Sequence, residues 1–582
     1  MKSRLGRFYK NNYLFHLLAI FVILVFCLYD INNYNMLIVM NDEFGYWSNA
    51  DLLLHQNWYG LAAQTPYYSI GYSFTLVPIL FFCRTYKSAY HVAIILNAVY
   101  VIIQYFCAFY ILTVLNKKDY SKWIMTVESL TVTLVVSNLF YARIGWCEVF
   151  LSTVIWLIAA LFVSIEKKYK VYKLFLLVFL LIYSYIIHQR CIGIILAAAV
   201  CLLWILISKK RYVELFSIVL VLVGPFILHD YVKAFQNQLI LMDNGRRLND
   251  ISVNGALVSD KFSSVFDQIV PFLTSVLGKI FTTFAYSWGI FAVGLKEYFL
   301  RFKSSCKKRS LDKLLISETF FVLCIVFLVG LSSIQCMGNS RKDMIVYSRY
   351  MEFCFGPFLL FSINYLLNNF KSNLRCLWVA TSIISLTSFI VYRQISTGGK
   401  FFNIPCSPFI GAFIEIFNDD YIKAILLFVF LLFLVAFVCS IVADGKNQKL
   451  AQTILCLVII TINVMCVSKS NKWLSEIQKT TYSRVETTED ILQSRKNIPI
   501  YFLCDYYDFL YSANPKYLQF VLYDRPIIVV DSVGKIDYDG EYFLLTNPKL
   551  YSELDTYDME LIETSSYTNL YIVEGHPRTN KK

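Results

Sequence analysis

Residues 1–47 read MKSRLGRFYKNNYLFHLLAIFVILVFCLYDINNYNMLIVMNDEFGYW, and they contain a basic segment, an apolar run and an acidic pair in that order. The apolar run, Leu14 to Tyr29, is typical of a membrane-spanning helix. No cleavage site of small residues follows it, so we interpret it as a retained first span rather than as a signal peptide. The acidic pair, Asp42 and Glu43, lies among aromatic residues at a membrane edge, where charge is costly unless it is solvated or paired.

The composition is that of a membrane protein. Of the 582 residues, 57% are hydrophobic and 16% are charged, whereas an average soluble domain has about 25% charged residues. Recurring apolar runs predict a polytopic α-helical membrane protein. The net charge of +13 does not indicate a nucleic-acid partner, because the basic residues cluster between the runs, as cytoplasmic loops require. The 16 cysteines show no CxxC or Cys/His metal spacing, so we interpret them as small core residues.

The apolar runs predict about thirteen spans if the run from Ser69 to Cys83 does not cross. That run is short and contains Pro78, so we interpret it as a juxtamembrane helix. The basic loops then all lie on one face, which the positive-inside rule makes cytoplasmic; if the run crossed, several would lie outside. The predicted spans are 14–29, 89–115, 123–141, 147–165, 172–187, 191–208, 212–228, 271–295, 314–333, 350–369, 376–393, 422–442 and 450–468.

The same topology puts the chemically unusual groups on the opposite, exterior face. If the topology were wrong, these groups should scatter over both faces. Glu128 and Lys279, which lie within spans, are the exceptions. The segregated segments are the acidic pair, YARIGWCE (141–148), HQR (188–190), NGRR (244–247) and SRKDMIVYSRYMEF (340–353).

The chain after residue 469 has a different pattern, with short apolar runs between polar segments. A helical stretch separates the first two runs, and this order of strand, helix and further strands predicts a small α/β domain. The runs are 498–505, 525–531, 541–547 and 569–575. The predicted domains are a transmembrane domain, residues 1–468, with an exterior loop at 30–88, and an exterior C-terminal α/β domain, residues 469–582.

Two carboxylate sites on the exterior face are candidates for chemistry. Asp42 and Glu43 could bind a cation or take a proton from a hydroxyl. They could equally be solvated residues that cap the interfacial helix DEFGYWSNADLLLHQ. Glu148 begins the fourth span close to Arg143, and a glutamate at a helix N-terminus is favoured even without a function.

Basic and aromatic residues accompany the carboxylates. His188 and Arg190 lie in a tight turn, where arginine suits phosphate recognition but could also only snorkel to the interface. The stretch YSRYMEFCFGP begins a span with Arg349, Tyr350 and Glu352. Arg349 could pair with Glu352 structurally or hold a ligand phosphate. Because arginines stabilise anionic leaving groups, the pattern favours a lipid-borne phosphate as substrate.

The order of these motifs resembles the GT-C superfamily of integral membrane glycosyltransferases, and most closely the branch that contains lipid A aminoarabinose transferase and the protein O-mannosyltransferases. The similar features are the acidic pair and its aromatic stretch, the Pro-containing juxtamembrane helix, RIGWCE, HQRCIG and YSRYMEFCFGP. They cover roughly residues 1–365. TPYYSIGYS lacks the basic residue that family members often carry there, and the C-terminal domain resembles no family known to us.

The resemblance implies an inverting transfer, in which an acceptor hydroxyl attacks the anomeric carbon of a sugar carried on a polyprenyl phosphate. It implies Asp42 as general base, and Glu43 and Glu148 as residues that orient the acceptor or hold a cation. The expected cofactor is a divalent metal ion, Mg²⁺ or Mn²⁺, with Asp42 and Glu148 as ligands. The residues expected around the departing phosphate are His188, Arg190, Arg246, Arg349, Tyr350 and Glu352.

The expected partners are the lipid donor, membrane lipid and a glycan, lipid or protein acceptor. We expect a multi-pass protein of the plasma membrane, with a role in cell-envelope glycan or glycolipid modification. The frequent Asn, Lys, Ile and Tyr residues indicate a bacterium with AT-rich DNA. One alternative is a lipid-linked oligosaccharide flippase or transporter, which would need charges deep within its spans, and no clear internal repeat supports it. Others are a polysaccharide polymerase or ligase, and a binding protein whose site is in the C-terminal domain.

Overall fold

A computed structural model shows a chain that is mostly helical, with a small sheet near its C-terminus. The predicted site residue Arg246 lies outside the residues that the structure describes. The described residues are 2–38, 40–54, 58–65, 67–116, 120–241, 265–308, 314–339, 341–399, 401–444, 448–503, 513–536, 538, 540–546, 559–564 and 569–574.

Long apolar helices form the body of the protein. Ten of the described helices are long and apolar enough to cross a membrane, since about 20 residues of α-helix span the roughly 30 Å of hydrocarbon. The helices are α1 (Lys2–Leu28), α2 (Met40–Leu53), α3 (Tyr59–Ala63), α4 (Ser73–Phe82), α5 (Tyr86–Leu115), α6 (Lys122–Thr133), α7 (Val136–Tyr141), α8 (Glu148–Lys167), α9 (Val171–Ile187), α10 (Ile192–Ser208), α11 (Phe216–Leu241), α12 (Ile269–Tyr286), α13 (Ile290–Lys308), α14 (Leu315–Cys336), α15 (Phe355–Asn368), α16 (Phe370–Thr397), α17 (Pro408–Ile416), α18 (Tyr421–Asp444), α19 (Gln448–Ser483), α20 (Glu486–Ser494) and α21 (Ala513–Leu522).

Ten of the thirteen predicted spans correspond to these long helices. The other three, 123–141, 172–187 and 350–369, correspond to shorter helices: α6 with α7, α9, and α15. The prediction of a polytopic helical membrane protein is confirmed, and the number thirteen stays a prediction. The predicted interfacial helix is α2, and the predicted juxtamembrane helix is α4.

Two predicted spans are divided by breaks that the apolar pattern does not reveal. The segment 123–141 breaks between α6 and α7, where the Asn463 side chain donates to the Leu134 carbonyl at 3.4 Å. The segment 271–295 is divided into α12 and α13. Carbonyl groups freed inside a membrane protein need partners, and at the first break a polar side chain from α19 provides one.

The C-terminal part contains the predicted small α/β unit. Its sheet has the strand order β2-β1-β3-β5-β4, with β1 parallel to β2 and β3, and with β5 antiparallel to β3 and β4. The prediction missed β4, because no residue of this edge strand is fully buried and its sequence, MELIET, has no regular apolar alternation. Helix α19 continues through residue 469, the predicted domain boundary. The strands are β1 (Ile500–Leu503), β2 (Ile527–Val530), β3 (Glu541–Thr546), β4 (Met559–Thr564) and β5 (Asn569–Glu574).

The sheet unit is attached to the juxtamembrane helices through α21. Phe520 of α21 lies edge-on to Trp47 of α2, with ring centroids 5.3 Å apart, and also contacts the Tyr90 ring. Lys516 is fully buried and donates to Asn41 Oδ1 at 3.1 Å. Aromatic pairs of this geometry stabilise beyond the area that they bury. The C-terminal unit therefore fixes α2, the helix that carries the acidic pair.

Candidate functional site

Three segments that are far apart in sequence meet at one edge of the helix bundle. They are the first turn of α2, the turn 142–147 that leads into α8, and the segment 341–351 before α15. A short 3-10 helix, Gln189–Cys191, joins them between α9 and α10. We call this place the site edge. It is defined by Asp42, Glu148, Arg190 and Arg349.

Arg349 is the centre of the cluster. Its Nε donates to Glu148 Oε1 at 2.6 Å and its Nη1 donates to Asp42 Oδ2, so one guanidinium bridges two carboxylates. The same guanidinium lies over the Trp146 ring, 4.0 Å from the centroid. Charge-assisted hydrogen bonds of this kind are roughly twice as strong as neutral ones. Burial of Arg349 also removes the water that screens surface ion pairs.

Arg190 supplies unused hydrogen-bond donors. Its Nη2 donates to the second oxygen of Glu148, whereas its Nε and Nη1 are buried without a hydrogen-bond partner. The guanidinium lies 4.7 Å from the centroid of the Phe353 ring and 5.5 Å from that of Tyr350. A buried donor without a partner costs free energy, and an oxyanion at this position would remove that cost.

Asp42 is the most exposed carboxylate of the cluster. Its side chain is 23% exposed, against 1% for Glu148. The Tyr68 hydroxyl donates to Asp42 Oδ1. Burial and the Asp42 carboxylate raise the pKa of Tyr68 well above its usual value, so the hydroxyl keeps its proton. Within the described part of the chain, the Asp42 side chain makes no cap hydrogen bond to α2, and its two oxygens accept from Tyr68 and Arg349.

Sequence reasoning missed two residues of the site, Tyr68 and Trp146. Tyr68 crosses α2 at Gly45, where an added Cβ would lie 2.0 Å from the Tyr68 ring. A glycine inside a helix costs about 1 kcal/mol of stability relative to alanine. The presence of Gly45 within a predicted helix could therefore have indicated that another group approaches the helix closely there. Trp146 gave no comparable signal, because 17% of the chain is aromatic.

Glu43 points away from the ion-pair cluster. Its carboxylate is fully buried and accepts from the backbone N–H groups of Ile38 and Gly145, the latter at 2.9 Å, and from the Tyr90 hydroxyl at 2.8 Å. These bonds tie the start of α2 to the turn that carries Trp146. Such contacts make Glu43 a positioning residue, and its predicted contact with an acceptor stays a prediction.

Lys279 of α12 fixes the backbone of the segment that carries Arg349. Its ammonium group is buried within α12 and donates to the backbone carbonyls of Met344 and Ile345. A Cβ at Gly278 would lie 2.2 Å from the Ile345 carbonyl oxygen, so α12 can approach this closely only with glycine there. Lys279, one of the two exceptions to the segregation of charge, therefore has a structural explanation.

The other predicted residues lie around the cluster. Burial, Arg190 and Arg349 lower the pKa of His188 well below its usual value, so its imidazole is neutral. The His188 ring lies beside that of Tyr350, with centroids 6.3 Å apart. Glu352 is buried, and among the described residues it forms no ion pair with Arg349. The structural pairing considered for these two residues does not occur, because Arg349 turns to the carboxylates of the cluster instead.

The predicted metal ligands, Asp42 and Glu148, are joined by an arginine. The charge of Arg349 lies where a cation between them would have to bind, so these residues as arranged fit a guanidinium and do not fit a divalent ion. No group of three or more His, Cys, Asp or Glu side chains within the described ranges is placed to hold a metal. The divalent cation implied by the resemblance stays a prediction.

Two crystal structures of ArnT from Cupriavidus metallidurans are similar to this chain. The apo structure has a TM-score of 0.51 and 11% sequence identity over 96% of this chain and 97% of that chain. The structure bound to undecaprenyl phosphate has a TM-score of 0.50, with the same identity and coverage. No protein-family model matches the sequence, and no curated protein matches it. The fold that the resemblance implied is confirmed.

Replacement of Arg349 by methionine should destabilise the protein by about 3 kcal/mol, because it leaves Asp42 and Glu148 without their shared counter-ion. Adding Asp42→Asn should restore most of this loss, since Glu148 then still pairs with Arg190. Unfolding of the purified protein in detergent, followed by intrinsic fluorescence, measures both variants.

The control for this cycle is Arg393→Met, which removes an exposed arginine and should change stability by less than about 0.5 kcal/mol. Strictly additive losses in the double variant would mean that Arg349 and Asp42 do not interact.

Proposed function

We propose that this protein is a membrane glycosyltransferase, which moves a sugar from a polyprenyl-phosphate donor to an acceptor hydroxyl on the exterior face of the membrane. The observation that carries the proposal is the arginine bridge from Asp42 to Glu148, next to an Arg190 guanidinium with free N–H groups. A carboxylate that can accept a proton and a site that can hold a phosphate are thus side by side at a membrane edge.

A lipid-phosphate donor is supported by the similarity to the ArnT structure bound to undecaprenyl phosphate. This chain also has a groove that suits an isoprenoid tail. A cavity of about 700 Å³ lies between α12 and α16 and is lined mainly by apolar side chains, including Leu277 and Ile390, which are exposed to the surroundings. Ile345, from the segment that carries Arg349, forms part of its wall. A tail in this groove would approach the site from the membrane.

In the proposed step, the acceptor oxygen bonds to the anomeric carbon while the bond from that carbon to the phosphate oxygen breaks. The acceptor's proton passes to Asp42, and the bonding electron pair leaves with the lipid phosphate. Attack opposite the leaving group inverts the anomeric centre. Asp42 suits the base because it is the exposed carboxylate of the cluster, and Arg190 suits the phosphate because its free donors would stabilise the developing negative charge.

Glu148 and Arg349 position the two reacting groups, Asp42 and Arg190. Glu148 is almost fully buried and accepts from both arginines, so it aligns them rather than contacting the acceptor. Neutral His188 and Tyr350 flank Arg190 and would offer further hydrogen bonds to a phosphate without adding positive charge. The net charge of the four ionised residues is zero, so a bound phosphate would bring the cluster one or two negative charges that Arg190 is best placed to neutralise.

A flippase or transporter has less support. It would need charges along a path through the spans, yet the two exceptions to the segregation of charge, Glu128 and Lys279, have local partners. Glu128 accepts from the Asn364 side chain at 3.0 Å and from the Tyr120 hydroxyl, and Lys279 donates to backbone carbonyls. Because charges inside a membrane protein must be paired or hydrogen-bonded, these local contacts account for both residues without a transport path.

The exterior placement of the site can be tested by cysteine labelling. In a Cys504→Ser background, the exposed Cys306 at the end of α13 should react with a membrane-impermeant maleimide only after the cells are opened, because its loop is basic. Gly534→Cys in the C-terminal unit, where an added Cβ meets no atom within 4 Å, should react in intact cells when Cys306 is also replaced by serine. The reverse pattern would place the site on the cytoplasmic face.

Asp42→Asn should lower the rate of sugar transfer by about 10²–10⁴-fold, because asparagine cannot accept the acceptor's proton. The fold should persist, since an amide oxygen can still accept from Tyr68 or Arg349. The measurement is transfer from a polyprenyl-phosphate sugar in membranes at matched protein level.

Two variants serve as comparisons for this assay. Glu43→Gln should mainly lower stability. The amide N–H₂ group of glutamine would face an N–H or O–H group that now donates to the carboxylate. Asp420→Asn alters an exposed surface carboxylate, paired with Lys423, and should leave transfer unchanged. Full activity of Asp42→Asn would remove Asp42 from the mechanism.

A further inference from the structure

A second cavity lies near the site edge and contains none of the four residues that define it. Its volume is about 440 Å³, and its walls come from the end of α1, from α7 and the turn that follows it, and from the second half of α19. Arg143 and Lys472 are its basic residues, and Asp30 is its acidic residue. Arg143 belongs to the same turn as Trp146, but its side chain points to α1 and α7, away from Arg349.

Arg143 is a buried guanidinium whose charge is not paired. Its side chain is 3% exposed. Its Nη1 and Nη2 donate to the backbone carbonyls of Leu139 and Phe26, each at 2.8 Å, and its Nε has no hydrogen-bond partner. No carboxylate lies within ion-pair distance of it in the part of the chain that the structure describes. Arg190 and Arg349, by contrast, each have at least one carboxylate.

A buried charge that no carboxylate contacts is unfavourable. Asp30 is among the described residues of the same cavity wall and forms no ion pair with Arg143, and the cavity offers room for an anion. Lys472 lies on the cavity wall with a largely exposed ammonium group, 3.5 Å from the exposed Glu476 carboxylate. An exposed pair of this kind is weak, so the Lys472 side chain can turn to an anion at the entrance. Arginine is the side chain that best matches the oxygens of a phosphate. The charge and the free Nε together point to an anionic ligand.

The exposed surface of α1 next to the cavity indicates the source of such a ligand. Large apolar side chains are exposed at helical spacing along α1 and at the residue that follows it. The last two of them also line the cavity. An exposed apolar stripe on a membrane-spanning helix faces lipid chains, so a phosphate in the cavity could remain attached to chains that lie along this stripe. The stripe consists of Leu14, Leu17, Phe21, Val25 and Tyr29.

We propose that this cavity binds the phosphate of an anionic membrane lipid, with Arg143 and Lys472 as its partners. The bound phosphate would neutralise Arg143 and connect the ends of α1, α7 and α19. Because the Arg143 turn also carries Trp146 and leads to Glu148, the lipid would stabilise the turn from the side opposite to the site. This inference does not depend on the proposed sugar transfer.

The test uses the full-length protein, purified in a neutral detergent and stripped of lipid, with binding measured by native mass spectrometry. Wild type should retain phosphatidylglycerol in preference to phosphatidylcholine with the same chains. Arg143→Met should weaken phosphatidylglycerol binding by about 10- to 100-fold, as expected for loss of hydrogen bonds to a charged group. Lys472→Glu, which reverses an exposed charge and leaves the core intact, should weaken it by about tenfold.

The matched control is Arg393→Met, which removes an exposed arginine that does not line the cavity and should bind like wild type. If Arg143→Met does not fold, Lys472→Glu alone decides between the outcomes. Equal retention of phosphatidylglycerol by wild type and Lys472→Glu would overturn the proposal. Displacement of the lipid by an equal concentration of inorganic phosphate would also overturn it, because the site would then recognise free phosphate rather than lipid.

Discussion

The bridge from Arg349 to Asp42 and Glu148 is the interaction on which the site depends. Its partners are 307 and 201 positions away from Arg349 in the sequence, so a single side chain holds three distant segments together. The attraction is strong because the charges are close and largely shielded from water. Glu43 fixes one of these segments through backbone N–H groups, and Lys279 fixes another through backbone carbonyls. The site is therefore organised by two sets of charged residues. One set lies at the ligand position, and the other lies in the protein interior and fixes the backbone.

The sequence was sufficient to predict that the charged residues of the site lie together on one face, whereas their pairings could not be predicted. A bilayer restricts where charge and unpaired backbone groups can lie, and this restriction was sufficient to put Asp42, Glu148, Arg190 and Arg349 on one face. Contacts between residues hundreds of positions apart leave no periodic pattern. Adjacent helical residues also point about 100° apart, which explains why Asp42 faces the cluster while Glu43 faces the interior.

The parts of the fold that escaped prediction are those where tertiary contacts override the apolar pattern. At the break between α6 and α7, Asn463 from α19 donates to the Leu134 carbonyl and the nearby Asn138 donates to the Thr133 carbonyl. Nothing near the break in sequence reveals the partner from α19. The edge strand β4 lacks regular apolar alternation because none of its residues is fully buried. Attachment of the C-terminal unit to α2 through Phe520 was also not foreseen. It gives this unit a supporting role, since α2 carries Asp42.

The central claim is that the free donors of Arg190 hold the phosphate of a polyprenyl donor at the site edge. Binding of undecaprenyl phosphate to the purified protein, compared between wild type and Arg190→Met, tests it most directly. Glu148 keeps its bond to Arg349 in this variant, so the fold should persist, as circular dichroism and gel filtration would verify. The account predicts a loss of affinity of about 10- to 100-fold, the range expected when hydrogen bonds to a charged group are removed. An unchanged affinity in a folded variant would contradict it.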